Sequence, residues 1–173
     1  MLFVQEKSGS YRQAPHEVIL QEALQVSKKV LSSDTTITNQ EIAVQAIGAQ
    51  LCNLEEENIG CLFLNAPLKI LGWEILFHGT VNSAHAYPRV IVKKAIEYNA
   101  TAVIIAHNHP SGNTTPSRND LLMTGTVIQA LSVIDVKVLD HLIIGNEITS
   151  LQETGQIARL QEKMNQEDWR RLI

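Results

Sequence analysis

Residues 104–120 read Ile-Ile-Ala-His-Asn-His-Pro-Ser-Gly-Asn-Thr-Thr-Pro-Ser-Arg-Asn-Asp, and the rest of the chain is best read outward from them. The apolar run Ala102 to Ala106 reads as a buried strand. Just beyond it stand His107 and His109, two residues apart. Side chains at i and i+2 of an extended segment share a side, so both imidazoles can face one point. Pro110 disfavours α geometry at His109 and keeps that residue extended. Gly112, Asn113 and Pro116 then let the chain turn. Ser117 reads as a helix N-cap, and Asp120 falls in the first turn of a helix running to about Val133. A strand end, a tight loop and a helix start thus converge on one place. Two imidazoles and a carboxylate suit a catalytic divalent metal that keeps its remaining position for water. The stretch predicts a metal site of His107, His109 and Asp120 and, from it, a metal-dependent hydrolase. Taken singly, each part is weaker: Ser117 with Asp120 also fits an ordinary capped helix start.

The flanking sequence supplies the elements for such a site. Residues 1–14 read as a polar, loose start. Pro15 opens a helix carrying Val18, Ile19, Ala23, Val26 and Val30. Asn39 caps a second helix through Ile42, Ala46, Ala49 and Leu51. Ile59 to Leu64 and Lys69 to Phe77 read as two strands of a hairpin around Asn65-Ala-Pro67. Pro88 to Tyr98 reads as a helix. Val136 to Leu139 and Leu142 to Ile144 read as two further strands, and residues 152–173 as a polar tail ending in a helix. Strands and helices are interspersed without strict alternation. The predicted fold is α/β of mixed type, a central mixed β-sheet flanked by helices. Residues 1–37 would be an N-terminal helical extension, 38–155 the core domain and 156–173 a C-terminal tail helix.

With 173 residues the chain can bury one full core. A net charge of −4 argues against a broad electrostatic footprint for nucleic acid. Arg89, Lys93, Lys94 and Arg118 read as solvated surface charge. Cys52 and Cys61 are the two cysteines and read as reduced. They form no Cys-x-x-Cys unit, so a thiolate zinc site is not expected. The residues Met1 to Ser10 lack a signal-peptide apolar region, and no run approaches the roughly 18 residues of a membrane span. A cytoplasmic protein without a membrane partner is expected.

A hydrolytic metal site also needs a carboxylate that is not a ligand and can carry a proton. The candidates are the run Glu55-Glu56-Glu57 and Glu74, and spacing does not choose between them. His141, beside Asp140, reads as a satisfied structural histidine. His78 and His85 read as loop residues, and Trp73 and Trp169 as packing residues.

His107-Asn-His109-Pro110, six residues, Ser117, two residues and Asp120 resemble the JAMM spacing of MPN/JAB metallohydrolases. Phe77-His-Gly-Thr-Val-Asn-Ser83, Tyr87-Pro-Arg89, His107-Asn-His-Pro-Ser-Gly112, Pro116-Ser117 and Leu139-Asp-His141 resemble the bacterial RadC-like proteins, over residues 38–155. The resemblance implies a fold related to the cytidine-deaminase-like architecture. It implies a zinc ion held by His107, His109 and Asp120, with Ser117 steadying the tetrahedral intermediate. The family's general acid/base glutamate precedes a glycine by three residues, which implies Glu57 with Gly60. Where RadC-like chains often read Pro-Arg-Glu-Val, this chain has Pro88-Arg89-Val90-Ile91. Residues 1–37 are too short for the helix-hairpin-helix region of longer members. Insertions like those that grip ubiquitin in eukaryotic relatives are not evident. The leading expectation is a zinc-dependent hydrolase acting on a peptide or isopeptide amide of a peptide or protein substrate. A DNA-repair-associated nucleic-acid protein is the alternative, opposed by the acidic charge. A non-catalytic interaction module is the other, opposed by the complete ligand set. A base deaminase is excluded, because its His-x-Glu and Pro-Cys-x-x-Cys units are missing.

Overall fold

Strand residues of opposite parity bury against different helices, and that alternation sets the architecture. A computed structural model describes residues 3–32, 35–37, 40–79 and 88–164. A short hairpin, β1 (Phe3–Gln5) and β2 (Tyr11–Gln13), comes first. Then follow α1 (His16–Val30), α2 (Gln40–Leu51), β3 (Asn58–Leu64), β4 (Ile70–His78), α3 (Pro88–Glu97), β5 (Ala102–Asn108), α4 (Arg118–Ser132), β6 (Lys137–Ile144), β7 (Ile148–Ser150) and α5 (Gln156–Met164). The main sheet has the order β4-β3-β5-β6-β7. Strands β5 and β6 run parallel, joined across α4, and the other neighbours are antiparallel. This is the mixed sheet flanked by helices that the element pattern predicts.

Strands β3 and β5 are buried along their whole length, which is why they read as near-continuous apolar runs. Ile59, Cys61, Phe63, Val103, Ile105 and Ile143 pack with α3, α4 and α5. Leu62, Leu64, Ile104, Ala106, Leu142 and Ile144 pack with α1 and α2. Odd-numbered residues of β3 and β5 therefore face α4, and even-numbered ones face α2. Gly60 leaves room for Trp73, whose ring would lie 2.3 Å from an added Cβ. Gly60→Ala is expected to cost about 1–3 kcal/mol through overpacking. A lower urea midpoint with unchanged slope would report it.

Two readings need correction. The start is not loose: residues 3–13 form the β1–β2 hairpin, closed by Gly9 at φ +84° and by an Arg12–Glu6 ion pair of 2.9 Å. Its strands are exposed and polar, so hydropathy gives no sign of them. The strands expected at 136–139 and 142–144 are one strand, β6. Asp140 lies between the two expected strands, and its carboxylate accepts from the His141 and Gln152 amides (2.7 and 2.9 Å) and from Ser150 Oγ (2.6 Å). A buried carboxylate satisfied in this way can stay inside a sheet. Strand β7, which supplies Ser150, had not been anticipated. Asn39, His85 and Trp169 lie outside the described residues. Among the described residues no helix is long and apolar enough to cross a membrane, and Cys52 and Cys61 are free thiols.

Candidate metal centre

The site forms where the C-terminal end of β5 meets the N-terminus of α4. His107 is odd-numbered and faces α4, where it is fully buried. His109 lies just past the strand, its amide held by the Ile144 carbonyl at 2.8 Å. Gly112, at φ +80°, turns the chain back, and its carbonyl accepts from the Asn146 amide at 3.0 Å. Ser117 then caps α4. Its Oγ accepts from the Asp120 amide at 3.1 Å, while its own amide donates to Asp120 Oδ2 at 2.7 Å. This reciprocal cap fixes Asp120 in the first turn, aimed at the histidines.

Asp120 Oδ1 lies 3.4 Å from His107 Nε2, and Asp120 Oδ2 lies 3.6 Å from His109 Nε2. The two Nε2 atoms are 2.9 Å apart. Donor atoms about 2.0–2.1 Å from a tetrahedral ion stand about 3.3 Å from one another. The Nε2–Nε2 distance and the two Nε2–carboxylate distances, which end on different oxygens of Asp120, bracket that spacing. Glu57 completes the group: one ligand atom from each of Glu57, His107, His109 and Asp120 fits within 4.8 Å of the others.

The hydrogen bonds behind the histidines decide which nitrogens carry protons. Thr124 Oγ1 donates its one proton to the Asp120 carbonyl at 2.6 Å. It must therefore accept from His141 Nδ1, 2.6 Å away. Neutral His141 is then bare at Nε2, which accepts from His107 Nδ1 at 2.7 Å. His109 Nδ1 donates to the Asn113 carbonyl at 2.6 Å. As neutral imidazoles, His107 and His109 would each turn a bare Nε2 to the same point, beside a carboxylate. Two Nε2 atoms 2.9 Å apart with an anion alongside need a proton or a metal ion between them. The donor set fits a divalent metal, oriented from behind in the usual way.

Residues 37–156 match the RadC-like JAB domain. The chain belongs to that family. A UPF0758 protein of Photobacterium profundum is 38% identical over 148 residues, covering 85% of this chain and 66% of its own length. One from Stutzerimonas stutzeri is 41% identical over 141 residues, covering 79% and 63%. The chain spans just under two thirds of the length of these curated relatives.

Within this RadC-like domain the charges are uneven. Burial alone would raise the Asp120 carboxyl. The neighbouring His107 and the two Ser117 contacts outweigh it and hold the group well below the usual carboxylate range. The His107 share of that effect needs positive charge at the histidine edge, which a proton or a metal would supply. Glu57 moves the other way: burial raises it, and Asp120 adds to that, against the lowering influence of His107 and His109. Burial also keeps His141 neutral, well below the ordinary histidine value.

Glu74, the other carboxylate considered, does not join the cluster. It accepts from Tyr98 Oη at 2.6 Å and pairs with Lys94 at 2.9 Å. Lys93 and Lys94 also pair with Glu97, so that part of the basic group is matched by acid. Trp73 packs on the α1–α2 side of the core, as its size suggests. His141 is a satisfied core histidine, and one of its two bonds reaches His107. Thr124 and the Asn113 carbonyl were not singled out in the sequence. They act 17 and 4 residues from their partners, and no spacing rule announces them. A cavity of about 450 Å³ opens beside His109, lined by Leu54, Glu55, Asn108, Pro110 and Asn146 among others. A larger one of about 780 Å³, lined by Ile37, Val44, Leu68 and Val138 among others, includes none of the cluster residues.

If His141 fixes the His107 tautomer, then His141→Leu should weaken zinc binding by roughly 10–100-fold. His141→Gln offers an acceptor and a donor in the same order and should retain more of the affinity. A competition titration against a chromophoric chelator separates the two. Equal affinities would remove the tautomer argument.

Proposed function

We propose that this chain is a JAMM-type zinc-dependent hydrolase that cleaves a peptide or isopeptide amide in a peptide or protein substrate. One observation carries the reading. Two imidazole Nε2 atoms and a carboxylate converge at 2.9–3.6 Å, with Glu57 beside them. His107, His109 and Asp120 would hold the ion, which leaves Glu57 outside the ligand set. When bound, zinc would supply a water of lowered pKa and polarise the substrate carbonyl.

The chain's own groups would do the rest. The Glu57 carboxylate takes a proton from the attacking water and returns it to the leaving nitrogen. Its raised pKa suits a group that must hold a proton for part of the cycle. Ser117 Oγ uses a lone pair in the helix cap, and the cap does not use its hydroxyl proton. That proton can be donated to the carbonyl oxygen as negative charge develops on it. The net charge of −4 favours a polypeptide over a nucleic-acid backbone as substrate.

Elemental analysis of protein purified in zinc-replete buffer tests the metal. About one zinc per chain is expected. Folded wild-type protein that stays metal-free there would sink the reading. Peptide and isopeptide-linked fluorogenic substrates, with and without a chelator, then test the amide specificity.

A further inference from the structure

Asn108 stands between the two histidines, yet its side chain serves the other face of the sheet. It is even-numbered, so it points to the α2 side, away from His107. There it is buried, at 3% exposure, and every amide atom is used. Its Oδ1 accepts from the Asn58 amide at 2.8 Å. Its Nδ2 donates to the Leu54 carbonyl at 3.2 Å and to the Glu56 carbonyl at 3.0 Å. The bonds at Glu56 and Asn58 bracket Glu57: one holds the carbonyl before it, the other the amide after it.

Two more residues complete the row. Asn58 Nδ2 donates to the same Glu56 carbonyl at 2.7 Å, and Asn58 Oδ1 accepts from His78 Nδ1 at 2.7 Å. Strand pairing sets Asn58 opposite His78 on one side. On the other, Ile59 is opposite His107, which brings Asn58 beside Asn108. A turn such as Leu54–Glu57 has no ladder of its own to fix it. Buried amides that satisfy its carbonyls take the place of that ladder.

We propose that Asn108, backed by Asn58 and His78, is a positioning residue that fixes the main chain on both sides of Glu57 and so holds this glutamate against the metal-binding point. The inference rests on the metal reading above and adds to it. The tripeptide His107-Asn108-His109 sends two ligands to one face and a clamp for the fourth group to the other. An apolar or smaller residue at 108 would leave the ligands in place and let Glu57 drift.

Cobalt-substituted protein tests this without any substrate. The visible d–d bands of bound Co2+ respond to groups that touch its water. Glu57→Gln is expected to change the band shape at fixed pH while Co2+ still binds one per chain. Asn108→Ala should bind Co2+ as the wild type does and show the Glu57→Gln spectrum. The double variant should show no further change. A merely structural Asn108 would lower stability and leave the wild-type bands intact, which overturns the proposal. Unaltered bands in Glu57→Gln would overturn it too, because Glu57 would then not reach the metal's water. If Asn108→Ala does not fold, His78→Ala cuts the same row at an exposed residue. It should move the bands in the same direction by a smaller amount, and unmoved bands would overturn the proposal. Wild type that binds no Co2+ would remove the metal reading and this inference with it.

Discussion

His109→Ala is expected to abolish stoichiometric zinc binding, with an affinity loss above roughly 100-fold, while the metal-free protein melts within a few degrees of wild type. Perturbing a group behind a ligand costs about 10–100-fold, so losing a ligand outright must cost more. The fold should tolerate the change. His109 lies past the end of β5, its side chain is 17% exposed, and its partner behind the site is a loop carbonyl. Asp120→Ala should lose the metal equally but also lose the acid half of the α4 cap, worth about 1 kcal/mol. For a chain of this size that is about 2–4 °C in Tm. Zinc at about 1,000 times its Kd would stabilise wild type by about 4 kcal/mol, and neither variant should respond. Calorimetry with and without zinc therefore separates ligation from folding. A zinc-dependent Tm rise in His109→Ala as large as in wild type would show that the ion sits elsewhere.

Acid should act on the same carboxylate. Asp120 titrates well below its unfolded value, so it contributes stability that is fully present above the unfolded value near pH 4 and is lost progressively as pH falls from there through the lower folded value. In the metal-free protein Asp120→Asn should remove this part of the acid transition.

The site was legible in the sequence because its parts are local. His107, His109, Ser117 and Asp120 span 14 residues of one strand–loop–helix unit, and period-2 and capping rules apply inside such a unit. The choice between Glu57 and Glu74 was not legible from spacing, because it depends on register across strands. Glu74 pairs opposite Cys61, well along β3, where Tyr98 and Lys94 meet it. Glu57 sits at the start of that strand, level with the end of β5. The His107–His141–Thr124 chain was hidden for a similar reason. It joins residues 34 and 17 positions apart through the parallel β5–β6 register. The unity of β6 depended on Ser150 of β7, a strand too short to announce itself.

Glu57→Gln should keep the zinc and lower turnover by about 10²–10⁴-fold, the usual worth of a positioned general acid–base. The substitution is nearly isosteric and leaves His107, His109 and Asp120 intact, so metal content should match wild type. On the proposed mechanism, what it removes is the group that takes a proton at one step and returns it at another. Glu57 must be ionised to accept that proton, so its pKa sets the sign of the pH dependence. Below that pKa the carboxyl is protonated and accepts nothing, so kcat/KM should rise as pH rises through it. In Glu57→Gln that acidic limb should vanish along with most of the rate. Glu74→Gln is the contrast. Burial pushes its carboxylate up, but its bonds to Tyr98 and Lys94 outweigh that and hold it below the usual value, and from β4 it joins an ion-pair network with Lys94 and Glu97 of α3. That variant should retain near wild-type turnover and lose a little stability. An active Glu57→Gln beside a dead Glu74→Gln would reverse the assignment. Equal, modest losses in both would mean that neither carboxylate carries the proton.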